Sequence, residues 1–102
     1  MIDLKWVEQV GLDRLTAALS EGFCPRCHTR LRQDFPFPLR PGVTPDDFGP
    51  GYPAYARGHC ATCCYWLMAG HGGSDGRDWF AVVFIASSLI TFILNPPPDD
   101  DW

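Results

Sequence analysis

Two Cys-x-x-Cys pairs are the residues of this sequence whose types and spacing could do chemistry. Cys24 and Cys27 enclose Pro-Arg, and Cys60 and Cys63 enclose Ala-Thr. A Cys-x-x-Cys turn aims two sulfurs at one point, so two such turns can complete a tetrahedral site of four thiolates that suits Zn²⁺. The same residues could instead form disulfides or carry redox chemistry, and the rest of the sequence bears on that choice.

The sequence around the pairs favours a metal. Five cysteines is an odd number, which a disulfide framework would leave unbalanced. The start, MIDLKWVEQVG, lacks the uninterrupted apolar run of a secretory signal, so we expect a cytoplasmic location, where thiols stay reduced. A redox pair opens a helix, but Pro36 follows Cys27 too closely for a long one. No His-x-Glu motif of a zinc deaminase is present either. We therefore predict structural zinc, and Fe²⁺ is the alternative that four sulfurs also suit.

The two pairs resemble the knuckles of the zinc-ribbon group, which have the forms Cys-Pro-x-Cys and Cys-x-x-Cys and sit at the tips of β-hairpins. The matching residues are Cys24-Pro25-Arg26-Cys27 and Cys60-Ala61-Thr62-Cys63. The resemblance covers residues 23–84 and implies an antiparallel sheet beside a structural zinc, but no single function. The chain departs from the group where many knuckles have Gly, since His28 and Cys64 follow the second cysteines. The interval between its knuckles is also long for a minimal ribbon.

The elements that must position these cysteines are predicted to form one α+β domain over residues 1–102, with an N-terminal helix in 1–22 followed by the ribbon-like sheet. Asp3 to Ser20 has helical spacing of apolar residues, with Asp3 as N-cap and Gly22 as the C-terminal stop. Gly11 weakens the middle, so a break is possible there.

The long segment between the knuckles is rich in Pro and Gly over residues 33–58, which predicts a loop without long regular elements. A disordered linker would not need its aromatic residues. We therefore expect an ordered loop packed by its own aromatic side chains, which are Phe35, Phe37, Phe48, Tyr52 and Tyr55.

The sheet is predicted after the second knuckle. Tyr65 to Ala69 should pair with a returning strand from Trp79 to Ala86 across the turn HGGSDGRD, and SSLITFIL should follow as another strand or a short helix. Trp66 and Trp79 are expected in the core. As one helix, residues 79–94 would reach about 24 Å, short of the roughly 30 Å hydrocarbon core, so buried strand is favoured over a membrane helix.

The remaining candidates for chemistry are weaker. Cys64 is expected to be a small buried residue that begins a strand. His28 and His59 are expected at the surface or behind the metal ligands rather than among them. His71 and Asp75 could make an acid–base pair, but no nucleophile or second carboxylate is placed to help them, so we expect a non-enzymatic protein.

Charge is distributed unevenly along the chain. Arg26, Arg30 and Arg32 surround the first knuckle, where they could contact phosphates or form an ordinary solvated face. The net charge of −4 argues against tight nucleic-acid binding, because each neutralised phosphate requires a local cation.

Residues 95–102, NPPPDDDW, form an acidic tail in which Pro residues favour an extended chain. The carboxylates of Asp99, Asp100 and Asp101 and the ring of Trp102 then make either a solubilising end or a docking peptide. The tail resembles the acidic, aromatic-ended tails of single-stranded DNA-binding proteins, which implies a basic pocket with a hydrophobic slot on a partner protein.

Three functions follow from these patterns. The favoured one is a protein-interaction module, adaptor or inhibitor built on a structural zinc. The alternatives are a nucleic-acid-associated zinc ribbon and a zinc-ribbon protein anchored in a membrane through residues 79–94.

Overall fold

The computed structural model describes residues 4–34, 38–44, 54–72, 76–84 and 89–95. Within these ranges, two short helices precede an antiparallel sheet, in agreement with the predicted α+β class. The elements are α1 (Lys5–Val10), α2 (Leu12–Glu21), β1 (Ala54–Cys60), β2 (Tyr65–Gly72), β3 (Arg77–Phe84) and β4 (Leu89–Leu94).

The predicted N-terminal helix is divided in two at Gly11, and Asp3 lies outside the described residues. Gly11 has φ 89° and ψ 150°, a backbone conformation that L side chains rarely adopt. Its N–H donates to Val7 O at 3.2 Å and its carbonyl accepts from Leu15 N–H at 3.0 Å, so it ends one helix and begins the next. Gly22 ends α2 in the left-handed conformation at φ 88°, as predicted.

The strands lie in the order β1-β2-β3-β4, each antiparallel to the next. The predicted pairing of β2 with β3 is confirmed from Tyr65 opposite Phe84 onward, while residues 85–86 lie outside the described part of the chain. The strands continue into the predicted turn, because His71 pairs with Asp78 and Gly72 with Arg77.

Residues 79–94, for which a membrane helix was the alternative to a buried strand, form strands wherever the structure describes them. Residues 79–84 belong to β3, and residues 89–94 form β4. LITFIL is therefore a strand and not the short helix that was the alternative for this segment. Among the described residues, no helix is both long enough and apolar enough to cross a membrane.

Strand β1 begins at Ala54, inside the range predicted to be a loop. Ladder pairing overrides the low strand propensity here: Arg57 lies opposite Met68 and Gly58 opposite Leu67. Tyr55 lies in β1 and is 46% exposed. The other aromatic residues of the predicted loop lie outside the described ranges.

Both faces of the sheet are buried at β2 and β3, which explains why these two strands are apolar at nearly every position. One face packs on the helices, and its buried cluster includes Val7, Leu15, Leu19, Leu67, Ala69, Phe80 and Val82. The opposite face buries Trp66, Met68, Trp79, Ala81 and Val83. The prediction that both tryptophans lie in the core is therefore confirmed.

Candidate metal centre

The sulfurs of Cys24, Cys27, Cys60 and Cys63 all lie within 4.8 Å of one another. Cys27 Sγ is 3.5 Å from Cys60 Sγ and 3.6 Å from Cys63 Sγ. A tetrahedral zinc with bonds near 2.3 Å places its sulfurs about 3.8 Å apart. The cluster thus has the donor set and the dimensions to hold a metal ion such as zinc.

The first knuckle, residues 24–28, is a tight turn closed by backbone hydrogen bonds. Phe23 and Arg30 form an antiparallel bridge at its base, and Cys24 N–H donates to Thr29 O at 2.8 Å. His28 N–H donates to Cys24 O, also at 2.8 Å. These bonds bring the two sulfurs of the pair to the same side of the turn.

The second knuckle, residues 60–64, is the connection between β1 and β2. Cys60 pairs with Tyr65 at the end of the ladder, and Cys64 N–H donates to Cys60 O at 2.9 Å. Cys63 N–H lies 3.3 Å from Cys60 Sγ and donates to it. The two knuckles therefore have the same turn, with the N–H of the residue after the second cysteine bonded to the carbonyl of the first.

A short backbone connection brings the knuckles together. Arg32 N–H donates to His59 O at 2.9 Å, and His59 N–H donates to Arg32 O at 2.8 Å. The chain after the first knuckle is thereby hydrogen-bonded through Arg32 to the edge of β1 that faces away from β2, at His59, one residue before Cys60. Gly58 permits this approach, because a Cβ there would lie 2.8 Å from Leu31 Cβ.

Burial divides the four cysteines into two kinds. Cys24 and Cys60 are buried, whereas Cys27 and Cys63 are partly exposed. Burial raises the pKa of Cys24 to about 11, although the backbone N–H groups of Cys27 and Arg26 oppose it. Burial also raises the pKa of Cys63, and its sulfur contact with Cys27 adds to the rise.

Cys27 behaves differently from its neighbours. Burial works to raise its pKa, but hydrogen bonds from the hydroxyl and the backbone N–H of Thr29, together with the contacts with Cys60 and Cys63, lower it to about 6. These hydrogen bonds favour the thiolate form of Cys27. A bound cation favours deprotonation of the other sulfurs as well, because metal coordination requires the thiolate form.

The fifth cysteine is not the buried residue that we predicted. Cys64 is exposed, with its sulfur 3.8 Å from Ala61 O, and β2 begins one residue later at Tyr65. The difference arises because Cys64 still belongs to the turn, where its φ is 61°. It lies outside the four-sulfur cluster.

Neither flanking histidine lies in the cluster, as expected. His28 is exposed with φ 64°. His59 is buried, and its ring stacks on Trp66 with centroids 6.2 Å apart. Its Nε2 lies 3.9 Å from Asp34 Oδ1.

The predicted interaction residues are only partly described. Arg26 is exposed, and the exposed Arg30 places its guanidinium carbon 5.9 Å from the centroid of the Phe23 ring. Arg32 instead pairs with Asp34, with Nε 3.3 Å from Oδ1. Asp99, Asp100, Asp101 and Trp102 lie outside the described residues.

The structure gives His71 a partner, Asp78, that the sequence did not single out, and it brings two threonines together beside the sulfurs. His71 contacts the carboxylate of Asp78, its partner across β2 and β3, and the ring of Tyr55 at 4.8 Å. Asp75, the partner considered from the sequence, lies outside the described residues. Thr29 and Thr62 meet beside the sulfurs, at 3.3 Å between their hydroxyl oxygens. No sequence signal marked either threonine except closeness to a cysteine.

Comparison with protein-family models, with curated proteins and with solved structures gives no match.

Proposed function

We propose that Cys24, Cys27, Cys60 and Cys63 bind one structural Zn²⁺, and that the chain is a small non-enzymatic protein that acts as an interaction module, adaptor or inhibitor. The observation that carries the proposal is the approach of four sulfurs within 4.8 Å of one another. Four protein ligands leave no open coordination position for substrate, which is the pattern of a structural rather than a catalytic zinc.

Zinc would add a cross-link between two parts of the chain that already pack together through the buried cluster of the helices and the sheet. The first knuckle follows α2, and the second ends β1, so a metal between them fixes the helical part against the sheet. Because such a site does not exist in the unfolded chain, metal binding contributes directly to folding free energy. A chain of 102 residues with a small core gains most from such a cross-link.

The interaction role is supported by the surface of the first knuckle. Phe23 is 38% exposed, and Arg30 lies over its ring, while Arg26 and His28 are exposed residues of the knuckle itself. We call these four residues the knuckle surface. Arginine and aromatic side chains are enriched among the residues that dominate protein interfaces, and a zinc-bound turn holds them rigidly.

The proposal is tested by metal analysis and by partner capture from the native cell. We expect one equivalent of zinc per chain in protein purified without chelator. Captured proteins should be lost when Phe23 and Arg30 are replaced by Ala and retained when Arg14, which is exposed on α2, is replaced. Purified protein without metal would contradict the zinc site. Partner capture that is unchanged by the substitutions in the knuckle surface would contradict the interaction role.

A nucleic-acid-associated protein is the second candidate, favoured by the same pairing of arginine with an exposed aromatic ring. Retention on heparin or single-stranded DNA that weakens steeply with salt would support it. Retention that is absent at low salt would leave the protein-interaction module as the better interpretation, in keeping with the net charge of −4.

A further inference from the structure

Two threonines, one from each side of the cluster, form a hydrogen-bonded chain that ends on a sulfur. Thr29 Oγ1 lies 3.1 Å from Cys27 Sγ and 3.3 Å from Thr62 Oγ1. Thr29 directly follows the first knuckle, and Thr62 lies inside the second. The chain thus crosses between the two knuckles without involving the metal position itself.

The direction of these hydrogen bonds follows from the chemistry of the ligand. A metal-bound Cys27 is a thiolate, which can only accept, so the Thr29 hydroxyl must donate its one proton to the sulfur. The Thr29 oxygen then accepts from the hydroxyl of Thr62. Hydrogen bonds arranged in this order polarise one another, so the second strengthens the first.

We propose that Thr29 and Thr62 are positioning residues of the metal centre: Thr29 orients and stabilises the Cys27 thiolate, and Thr62 holds Thr29 in place from the opposite knuckle. The inference rests on the proposed zinc site and adds to it one residue that hydrogen-bonds to a ligand and a second residue that supports the first. Residues that hydrogen-bond to metal ligands typically change metal affinity by about 10- to 100-fold when they are removed.

Cys27 has a side-chain hydroxyl beside its sulfur in addition to a backbone N–H, both from Thr29. The buried sulfurs of Cys24 and Cys60 receive backbone N–H groups of their own turns, from Cys27 and Cys63 among others. Cys27 is partly exposed, so water competes for its sulfur. A hydroxyl held by a second hydroxyl can occupy that side of the sulfur in place of water and keep the sulfur in one orientation.

The test uses three variants of the full chain loaded with Co²⁺ or Zn²⁺. Thr29→Val keeps the β-branched shape and removes the hydroxyl, Thr29→Ser keeps the hydroxyl, and Thr62→Val breaks only the second hydrogen bond. Thr16→Val is the control, since that hydroxyl bonds to Leu12 O at 3.0 Å within α2. Zinc affinity is measured by chelator competition, and the cobalt protein by its sulfur-to-metal charge-transfer absorption.

Thr29→Val should lose about tenfold or more in zinc affinity and shift the charge-transfer band to longer wavelength, because a thiolate without its hydrogen bond donates electrons more readily. Thr62→Val should lower the zinc affinity and shift the charge-transfer band in the same direction, but by smaller amounts. Thr29→Ser and Thr16→Val should have the affinity and the absorption of the wild type. Equal losses in Thr29→Val and Thr29→Ser would overturn the inference, since shape would then matter and the hydroxyl would not.

The failure of the inference is distinguishable from the failure of the proposed function. A wild-type protein that binds neither metal refutes the zinc site and the threonine assignment together. A wild-type protein that binds metal, with Thr29→Val unchanged in affinity and in absorption, refutes the threonine assignment alone.

Discussion

His28 and Cys64 are equivalent residues of the two knuckles. Each follows the second cysteine of its pair, each has positive φ, at 64° and 61°, and each donates its N–H to the carbonyl of the first cysteine. The chain therefore keeps the left-handed backbone that favours Gly at this position, although it has a larger residue there.

Replacement of either residue by Gly should stabilise the protein. The left-handed conformation costs a non-Gly residue roughly 1–2 kcal/mol, and Gly avoids this cost. Gly also has more freedom in the unfolded chain, which cancels about half of the gain. We expect His28→Gly and Cys64→Gly each to raise the melting temperature by a few degrees. Ala61→Gly, at an exposed turn residue without positive φ, is the control and should lower it. A lower melting temperature in both Gly variants would contradict the strain argument.

Serine substitution should separate the four ligands from the fifth cysteine. Cys60→Ser should abolish stoichiometric zinc binding and sharply lower the melting temperature, because structural zinc supplies folding free energy. Cys64→Ser, at an exposed residue outside the cluster, should keep one equivalent of zinc. Metal analysis and thermal unfolding, with and without a strong chelator, measure both effects. Loss of zinc in Cys64→Ser with retention in Cys63→Ser would show that the ligand set is wrong.

A charge placed in β3 should destabilise the fold strongly. Val83 is 1% exposed in the cluster on the sheet face opposite the helices, so Val83→Asp buries a carboxylate without a partner. We expect a loss of several kcal/mol in unfolding free energy, measured by urea titration. Ala17→Asp, on the exposed side of α2, is the control and should cost far less. A protein that stays soluble only in detergent would favour the membrane alternative instead.

Any side chain at residue 58 should separate the two knuckles. A Cβ on Gly58 would lie 2.8 Å from Leu31 Cβ and 3.1 Å from Arg32 O, so β1 and the chain after the first knuckle must move apart. Gly58→Ala should cost about 1–3 kcal/mol, and Gly58→Val more. Zinc affinity should fall in the same order. Wild-type stability in both variants would mean that the approach of the chain to β1 is not close in solution.

Removal of the acidic tail should leave the metal centre intact. A chain ending at Pro97 should keep its zinc content and its melting temperature, but should capture less partner protein if Trp102 is an anchor steered by the neighbouring carboxylates. Trp102→Ala tests the ring, and Asn in place of the three aspartates tests the charge. Unfolding of the truncated domain would end the docking hypothesis, since the tail would then belong to the core.

The local sequence was informative wherever the determining interactions are local. The Cys-x-x-Cys spacing was enough to identify the four sulfurs that lie together, and Gly22 was enough to place the end of α2. The boundaries of the turn after β2 were wrong, because pairing of His71 with Asp78 extends the strands into a stretch rich in Gly. Ladder hydrogen bonds there outweigh the low strand propensity of the residues themselves.

The sequence by itself determined the ligand types, their spacing within each knuckle and the apolar runs of β2 and β3, because these depend on neighbours along the chain. Only the tertiary structure decided how the two knuckles meet. That meeting requires the Arg32–His59 backbone pair and the space left by Gly58. It also decided that Thr29 and Thr62 come within 3.3 Å of each other. Contacts between residues so far apart in the chain depend on the packing of the whole sheet edge, which no local pattern of residues encodes.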